Sequence, residues 1–174
     1  MRVDEMFSNN PNVNGRFGML LTTLKIGMEY KEADYIFRHN GLGMEISEYG
    51  NDSNGAYAEY TLDGVRNSNP KVVVYYEMAN RPGKVTNVVF YEQDGTHYGL
   101  ADMGKKDLVL KLLEVYNIEK RGHDVKIYDD EGSGEEIAVH GINVPMLADC
   151  KEIARAVGCY LNVVESFDMV VFEL

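Results

Sequence analysis

The chain has 174 residues, 45% of them hydrophobic, and carries 28 acidic against 17 basic residues. This composition excludes an intrinsically disordered chain, which would hold too few large apolar residues to offset the entropy of folding. The acidic excess argues against direct binding to nucleic acid or to an anionic membrane surface.

The N-terminal residues and the cysteines predict a cytoplasmic protein. Asp4 and Glu5 lie where a secretory signal would carry basic residues, and no long apolar run follows them. No stretch approaches the roughly 18–20 apolar residues that a membrane-spanning helix needs. Cys150 and Cys159 show no CxxC spacing, which is typical of reduced thiols.

The first half of the chain changes from helical to strand periodicity. Leu20, Leu21, Leu24 and Met28 share one face of a predicted helix over 17–28, and a second helix is predicted over 31–40. Alternating segments separated by Gly-, Asn- and Pro-containing turns then predict an antiparallel meander. Its predicted strands cover residues 43–49, 56–62, 71–78, 85–92 and 96–101.

The second half predicts the order α-β-β-α-β-β. A helix over 105–117 has its apolar residues on one stripe, and a second helix opens near Pro145 and ends at Gly158. Predicted strands cover 125–128, 136–140, 160–165 and 169–173, with a hairpin loop over 129–134.

These elements predict an α+β fold. N-terminal helical segments precede an antiparallel β-meander, and the α-β-β-α-β-β unit follows, with its helices packed on antiparallel sheet. The predicted domains are 1–101 and 102–174, either tightly docked or forming a single domain, because the segment between them is too short for a flexible linker.

The acidic charge is concentrated at the C-terminal end of the chain. Residues 124–174 hold eleven acidic and three basic residues, a net charge of −8, whereas residues 71–123 have a net charge of +1. A field of one sign on one part of a surface bears on partner choice and association rate.

Catalytic, metal and cofactor motifs are not found in the sequence. Counted from Asp129, an EF-hand loop would need glycine at its sixth position and a bidentate glutamate at its twelfth; the twelfth residue here is His140. The four histidines occur singly, and no glycine-rich phosphate motif is present. We therefore predict no catalytic residue, no metal ligand and no cofactor, and we do not expect an enzyme.

The leading hypothesis is that the protein is a small acidic inhibitor that docks on a basic protein partner, a nuclease or other nucleic-acid-processing enzyme. Anti-restriction, anti-CRISPR and toxin-immunity proteins of phages and mobile elements act in this manner. Carboxylates on a rigid surface can occupy sites shaped for phosphates. The predicted partner-binding residues are Asp129, Asp130, Glu131, Glu135 and Glu136, with Glu165 and Asp168 at the other predicted hairpin tip.

Two alternatives stay open. A structural or interaction protein could self-associate through its Tyr-rich sheet, giving a homo-oligomer. An unrecognised small-ligand binder or enzyme would instead gather scattered histidines and carboxylates in a pocket.

Overall fold

A computed structural model describes residues 17–39, 43–78, 83–130 and 134–174. These residues form four α-helices and two antiparallel sheets, which confirms the predicted α+β class. The helices are α1 (Gly18–Thr23), α2 (Tyr30–His39), α3 (Lys105–Val115) and α4 (Val144–Val157). The strands are β1 (Met44–Asp52), β2 (Gly55–Leu62), β3 (Lys71–Tyr76), β4 (Val85–Tyr91), β5 (His97–Gly99), β6 (Val125–Asp130), β7 (Gly134–His140), β8 (Tyr160–Val164) and β9 (Met169–Glu173).

The chain groups into two compact units, each built on one sheet. The first contains Leu24–Asp102, and the second contains Met103–Leu174 together with helix α1. None of the described helices has both the length and the apolar character required to cross a bilayer.

The sheet of the first unit is a meander in which each strand pairs antiparallel with the next, from β1 to β5. Strand β3 lies at its centre, and Val72, Val73 and Val74 are all buried. Because successive side chains of a strand point to opposite faces, this sheet is covered on both sides at β3, as the run of valines predicts.

Helix α2 covers one face of that meander. Its buried residues Tyr30, Ala33 and Phe37 recur every three or four positions and so lie on one side of the helix. The ring of Phe37 stacks on that of Tyr60 in β2, with centroids 3.9 Å apart. This aromatic contact fixes the helix against the sheet.

The sheet of the second unit has the strand order β6-β7-β9-β8, so β7 and β9 are central and β6 and β8 are the edges. Helices α3 and α4 contact each other and the central strands. Helix α4 begins after Asn143, whose Oδ1 accepts a hydrogen bond from the Met146 amide at 2.9 Å. It ends at Gly158, which has the left-handed conformation (φ 79°) that favours glycine.

Several predicted boundaries are wrong, among them the end of the first helix and the extent of the acidic hairpin loop. Helix α1 ends at Thr23 rather than residue 28, and Gly27 has φ 90°, which a right-handed helix cannot contain. The acidic hairpin loop is shorter than 129–134, because the β6–β7 ladder continues through Asp129 opposite Glu135 and Asp130 opposite Gly134. Side chains there alternate between the two faces, so consecutive acids do not prevent the backbone from pairing.

Candidate functional site

The two faces of the second sheet carry different side chains. Ile137 opposite Phe172 and Val139 opposite Val170 are completely buried, and they form the inner face of the sheet. The other face, which we call the outer face, carries Tyr128, which is 46% exposed. Directly paired residues of an antiparallel sheet project to the same side, so the register identifies the remaining outer-face residues.

A single row of outer-face residues crosses all four strands. Tyr128 of β6 pairs with Glu136 of β7, Glu136 pairs with Glu173 of β9, and Glu173 pairs with Tyr160 of β8. Since neighbouring strands lie about 4.8 Å apart, the row spans about 14 Å. We call these four residues the acidic row: two adjacent carboxylates flanked by two tyrosines.

The carboxylates of the acidic row carry uncompensated charge. Like charges directly opposite each other destabilise a sheet, because their Cβ atoms lie about 5 Å apart. Among the described residues, the side chains of Glu136 and Glu173 have no ion-pair or hydrogen-bond partner. The fold therefore holds two adjacent carboxylates, one on the exposed Glu173 and one on the half-buried Glu136, which a cation from outside can neutralise.

The residues beside the acidic row are small or uncharged except at one edge. The next row across the outer face is Lys126, Ala138, Val171 and Asn162. Ala138 and Val171 are buried at its centre, whereas Lys126 and Asn162 are exposed at its ends. The two glutamates are therefore not screened by basic neighbours at the centre of the sheet.

The predicted acids of the first hairpin are divided between the two faces. Glu136 lies in the acidic row, but Asp129 and Glu135 pair with each other on the opposite side of the sheet. Glu135 contacts the Lys106 ammonium of α3 at 3.8 Å. Asp130 pairs in register with Gly134, and Glu131 lies outside the described residues.

Glu165 and Asp168 lie at the opposite end of the sheet from the first hairpin. Met169, which follows Asp168, pairs with His140 at the end of β7 remote from Gly134. Asp168 has a structural role there: its Oδ1 accepts a hydrogen bond from the Ile142 amide at 2.9 Å, and its backbone carbonyl accepts one from Gly141. These two acids are therefore not neighbours of the hairpin acids.

Sequence reasoning missed Tyr128, Tyr160 and Glu173 as partners of Glu136. The alternation of β6 and β7 across their short hairpin would have placed Tyr128 beside Glu136. The position of Glu173 depends on β9 inserting between β7 and β8, a pairing between distant segments that no local pattern encodes.

The described tyrosines of the first unit differ in burial: Tyr30, Tyr60 and Tyr75 are buried, and the others are half-buried or exposed. Tyr60 is 1% exposed and Tyr75 is 8% exposed, while Tyr35 and Tyr49 are 52% and 58% exposed. Burial raises the pKa of Tyr75 to about 12, and a hydrogen bond from its hydroxyl to Asp52 at 2.8 Å contributes.

A cavity of about 620 Å³ opens in the first unit between α2 and β1, lined among others by Asp34, Arg38 and Tyr60. The Tyr60 hydroxyl donates to one carboxylate oxygen of Asp34 at 2.7 Å, and Arg38 Nε donates to the other at 2.6 Å. Burial raises the pKa of Tyr60, which keeps the phenol protonated as a donor. The polar groups of the cavity thus satisfy one another.

Reactive groups are scarce in the part of the chain described. Burial raises the pKa of the Cys150 thiol to about 12, so it stays protonated and unreactive at neutral pH. No cluster of three or more His, Cys, Asp or Glu side chains suited to a metal ion occurs among the described residues.

Comparison with known proteins yields no family model, no curated protein and no solved structure that matches this chain.

Proposed function

We propose that this protein is an acidic inhibitor that binds a basic, nucleic-acid-processing enzyme through the outer face of its second sheet. The observation that carries the proposal is the acidic row, in which Glu136 and Glu173 lie side by side, without a partner among the described residues, between Tyr128 and Tyr160. We further propose that it acts in the cytoplasm, where its two free cysteines would stay reduced.

The chemistry of the acidic row suits arginine or lysine side chains. Two adjacent carboxylates can accept charge-assisted hydrogen bonds from a guanidinium. Such hydrogen bonds are about twice as strong as those between uncharged groups. The exposed rings of Tyr128 and Tyr160 offer cation–π contacts on either side, each contributing about 0.5–1 kcal/mol at an exposed site. A surface evolved to bind phosphates presents these same basic side chains.

The distribution of basic residues strengthens the charge asymmetry of the second unit. Lys106 contacts Glu135, Arg121 contacts Asp149, and the Lys105 ammonium donates to the Gly158 carbonyl at 3.1 Å. These cations are therefore engaged in contacts with α4 or with the inner side of the sheet. The net charge of −8 over residues 124–174 can act at a distance and accelerate encounter with a positively charged partner.

Neutralising the acidic row tests the proposal. With the partner captured from the native host and identified by mass spectrometry, the E136Q/E173Q variant is expected to bind about tenfold more weakly, with slower association at low salt. Surface plasmon resonance at about 50 and 500 mM salt measures both, because exposed charges are screened beyond the Debye length at the higher concentration.

The matched control is D129N/E165Q, which removes two charges away from the outer face. We expect its affinity to stay within about twofold of the wild type, because exposed charges that make no contact contribute little. Equal weakening in both variants would show that a diffuse field, including the other predicted acids, attracts the partner; no weakening in either would remove the proposal.

A further inference from the structure

Strand β8 is a sheet edge that no other described strand covers. In the strand order β6-β7-β9-β8 it pairs with β9 along one edge, and no described strand pairs with its other edge. Its residues, Tyr160 to Val164, include no charged residue and no proline. Exposed edges with these properties readily add a further strand, because their backbone N–H and C=O groups lack partners.

The other sheet edges carry the features that normally prevent strand addition. Strand β1 is charged and has an irregularity in its pairing between Ile46 and Glu48, and β5 is only three residues long. Strand β6 carries Lys126, Asp129 and Asp130. Strand β8 is therefore distinct among the edges of the described sheets in having neither charge, shortness nor irregular pairing.

The side chains at this edge are open to solvent. Tyr160 is 65% exposed and Val163 is 38% exposed, and Phe167 in the turn that follows β8 is 70% exposed. A strand added here would cover the apolar side chains and satisfy the free backbone groups of the edge.

The two faces of the edge differ in the side chains that they would accept. Tyr160 and Asn162 lie on the outer face, next to Glu173 and Val171 respectively, while Leu161 and Val163 lie on the inner face. A basic side chain beside Tyr160 could lie against its ring and reach the Glu173 carboxylate. An apolar side chain would extend the inner face beside Leu161 and Val163.

We propose that the partner docks by adding an extended segment to β8, with basic residues on the outer face alternating with apolar residues on the inner face. The proposal rests on the function proposed above and names the partner's binding element. Main-chain hydrogen bonds to β8 supply the attachment, and the acidic row supplies the preference for basic side chains.

Alternating peptides test this inference directly. The probe is a fluorescent seven-residue peptide of alternating arginine and valine, and the charge control replaces each arginine by glutamate. Two further versions carry N-methyl groups on either all the arginine or all the valine amides. Because alternate residues of a strand direct their N–H groups to opposite edges, only one version loses hydrogen bonds to β8.

We expect the arginine peptide to bind in fluorescence anisotropy, the glutamate peptide not to bind, and one methylated version to lose binding while the other retains it. N162K should weaken binding of the arginine peptide at least tenfold, and N162E should leave it unchanged or tighter, since Asn162 is exposed at the edge. Equal effects of the two methylations, or no binding of the unmethylated peptide, would overturn strand addition.

These outcomes are separable from those for the proposed function. If the captured partner depends on Glu136 and Glu173 but not on the charge at position 162, the inhibitor proposal stands and strand addition fails. Suppose instead that only one of the two methylated peptides loses binding, and that E136Q/E173Q does not change the affinity for the arginine peptide. Strand addition then stands, but without a preference for basic side chains. A dimer in sedimentation that N162K dissociates would identify a second copy as the occupant and overturn the proposed partner.

Discussion

Replacing Arg121 by methionine is expected to destabilise the second unit by about 3–5 kcal/mol, because it removes the cation that contacts a buried carboxylate. Arg121 Nη1 donates to Asp149 Oδ2 at 2.7 Å and to the Tyr116 carbonyl at 3.0 Å. The Asp149 side chain is only 7% exposed. The interaction joins the segment after α3 to α4, the two helices that pack on the inner face of the sheet.

Urea denaturation monitored by circular dichroism measures the loss of stability. The double variant R121M/D149L is the control: it should be less destabilised than R121M alone, since the buried carboxylate is removed together with the cation that contacts it. Additive losses in the double variant would show that the ion pair is not energetically coupled.

Replacing Glu59 by glutamine is expected to destabilise the first unit by about 1.5–3 kcal/mol at neutral pH, the range for a hydrogen bond to a charged group. The Glu59 carboxylate is almost fully buried on β2. It accepts a hydrogen bond from Ser47 Oγ at 2.7 Å and contacts the Lys71 ammonium at 3.1 Å. Burial alone would raise the pKa of Glu59, but the hydrogen bonds from Ser47 and Lys71 outweigh it and lower that pKa below its usual value.

The lowered pKa of Glu59 determines the sign of the pH dependence. A carboxylate whose pKa is lower in the folded state stabilises the fold above its unfolded pKa of about 4.3, and this contribution is lost as the pH falls through the lower folded value. The free energy of unfolding of the wild type should therefore fall more steeply below about pH 4.3 than that of E59Q. The exposed Glu45 on neighbouring β1 provides the control E45Q, for which we expect a wild-type pH profile; a wild-type profile in E59Q would contradict the assignment.

Local patterns determine most of the elements of this fold. The valine run of β3 predicts a central strand covered on both sides, and the αL glycine after α4 gives the observed helix end at Gly158. The end of α1 was missed because apolar spacing continues past Thr23, although Gly27 adopts a positive φ that ends helical geometry. Such endings depend on backbone conformation that a hydrophobic pattern does not record.

The candidate site was only partly predictable for a related reason. Charge counting identifies the acidic C-terminal third and includes Glu136, but it cannot distinguish the face of Glu136 from that of Glu135, its neighbour in sequence. Alternation along β7 separates the two, and the insertion of β9 beside β7 brings Glu173 to Glu136. Glu135 and Glu136, which are consecutive in sequence, therefore lie on different faces of the sheet, whereas Glu136 and Glu173, which are distant in sequence, lie on the same face.

The most direct test of the acidic row as the binding surface is a nuclear magnetic resonance titration of the ¹⁵N-labelled protein with the alternating arginine–valine peptide. We predict that the largest amide shift changes map to β8 and to Glu173 beside it, that smaller changes reach Glu136 and Tyr128 along the acidic row, and that all of them diminish in E136Q/E173Q. Shift changes concentrated at Asp129 and Glu135 on the opposite face, or in the first unit, would contradict the proposed binding surface.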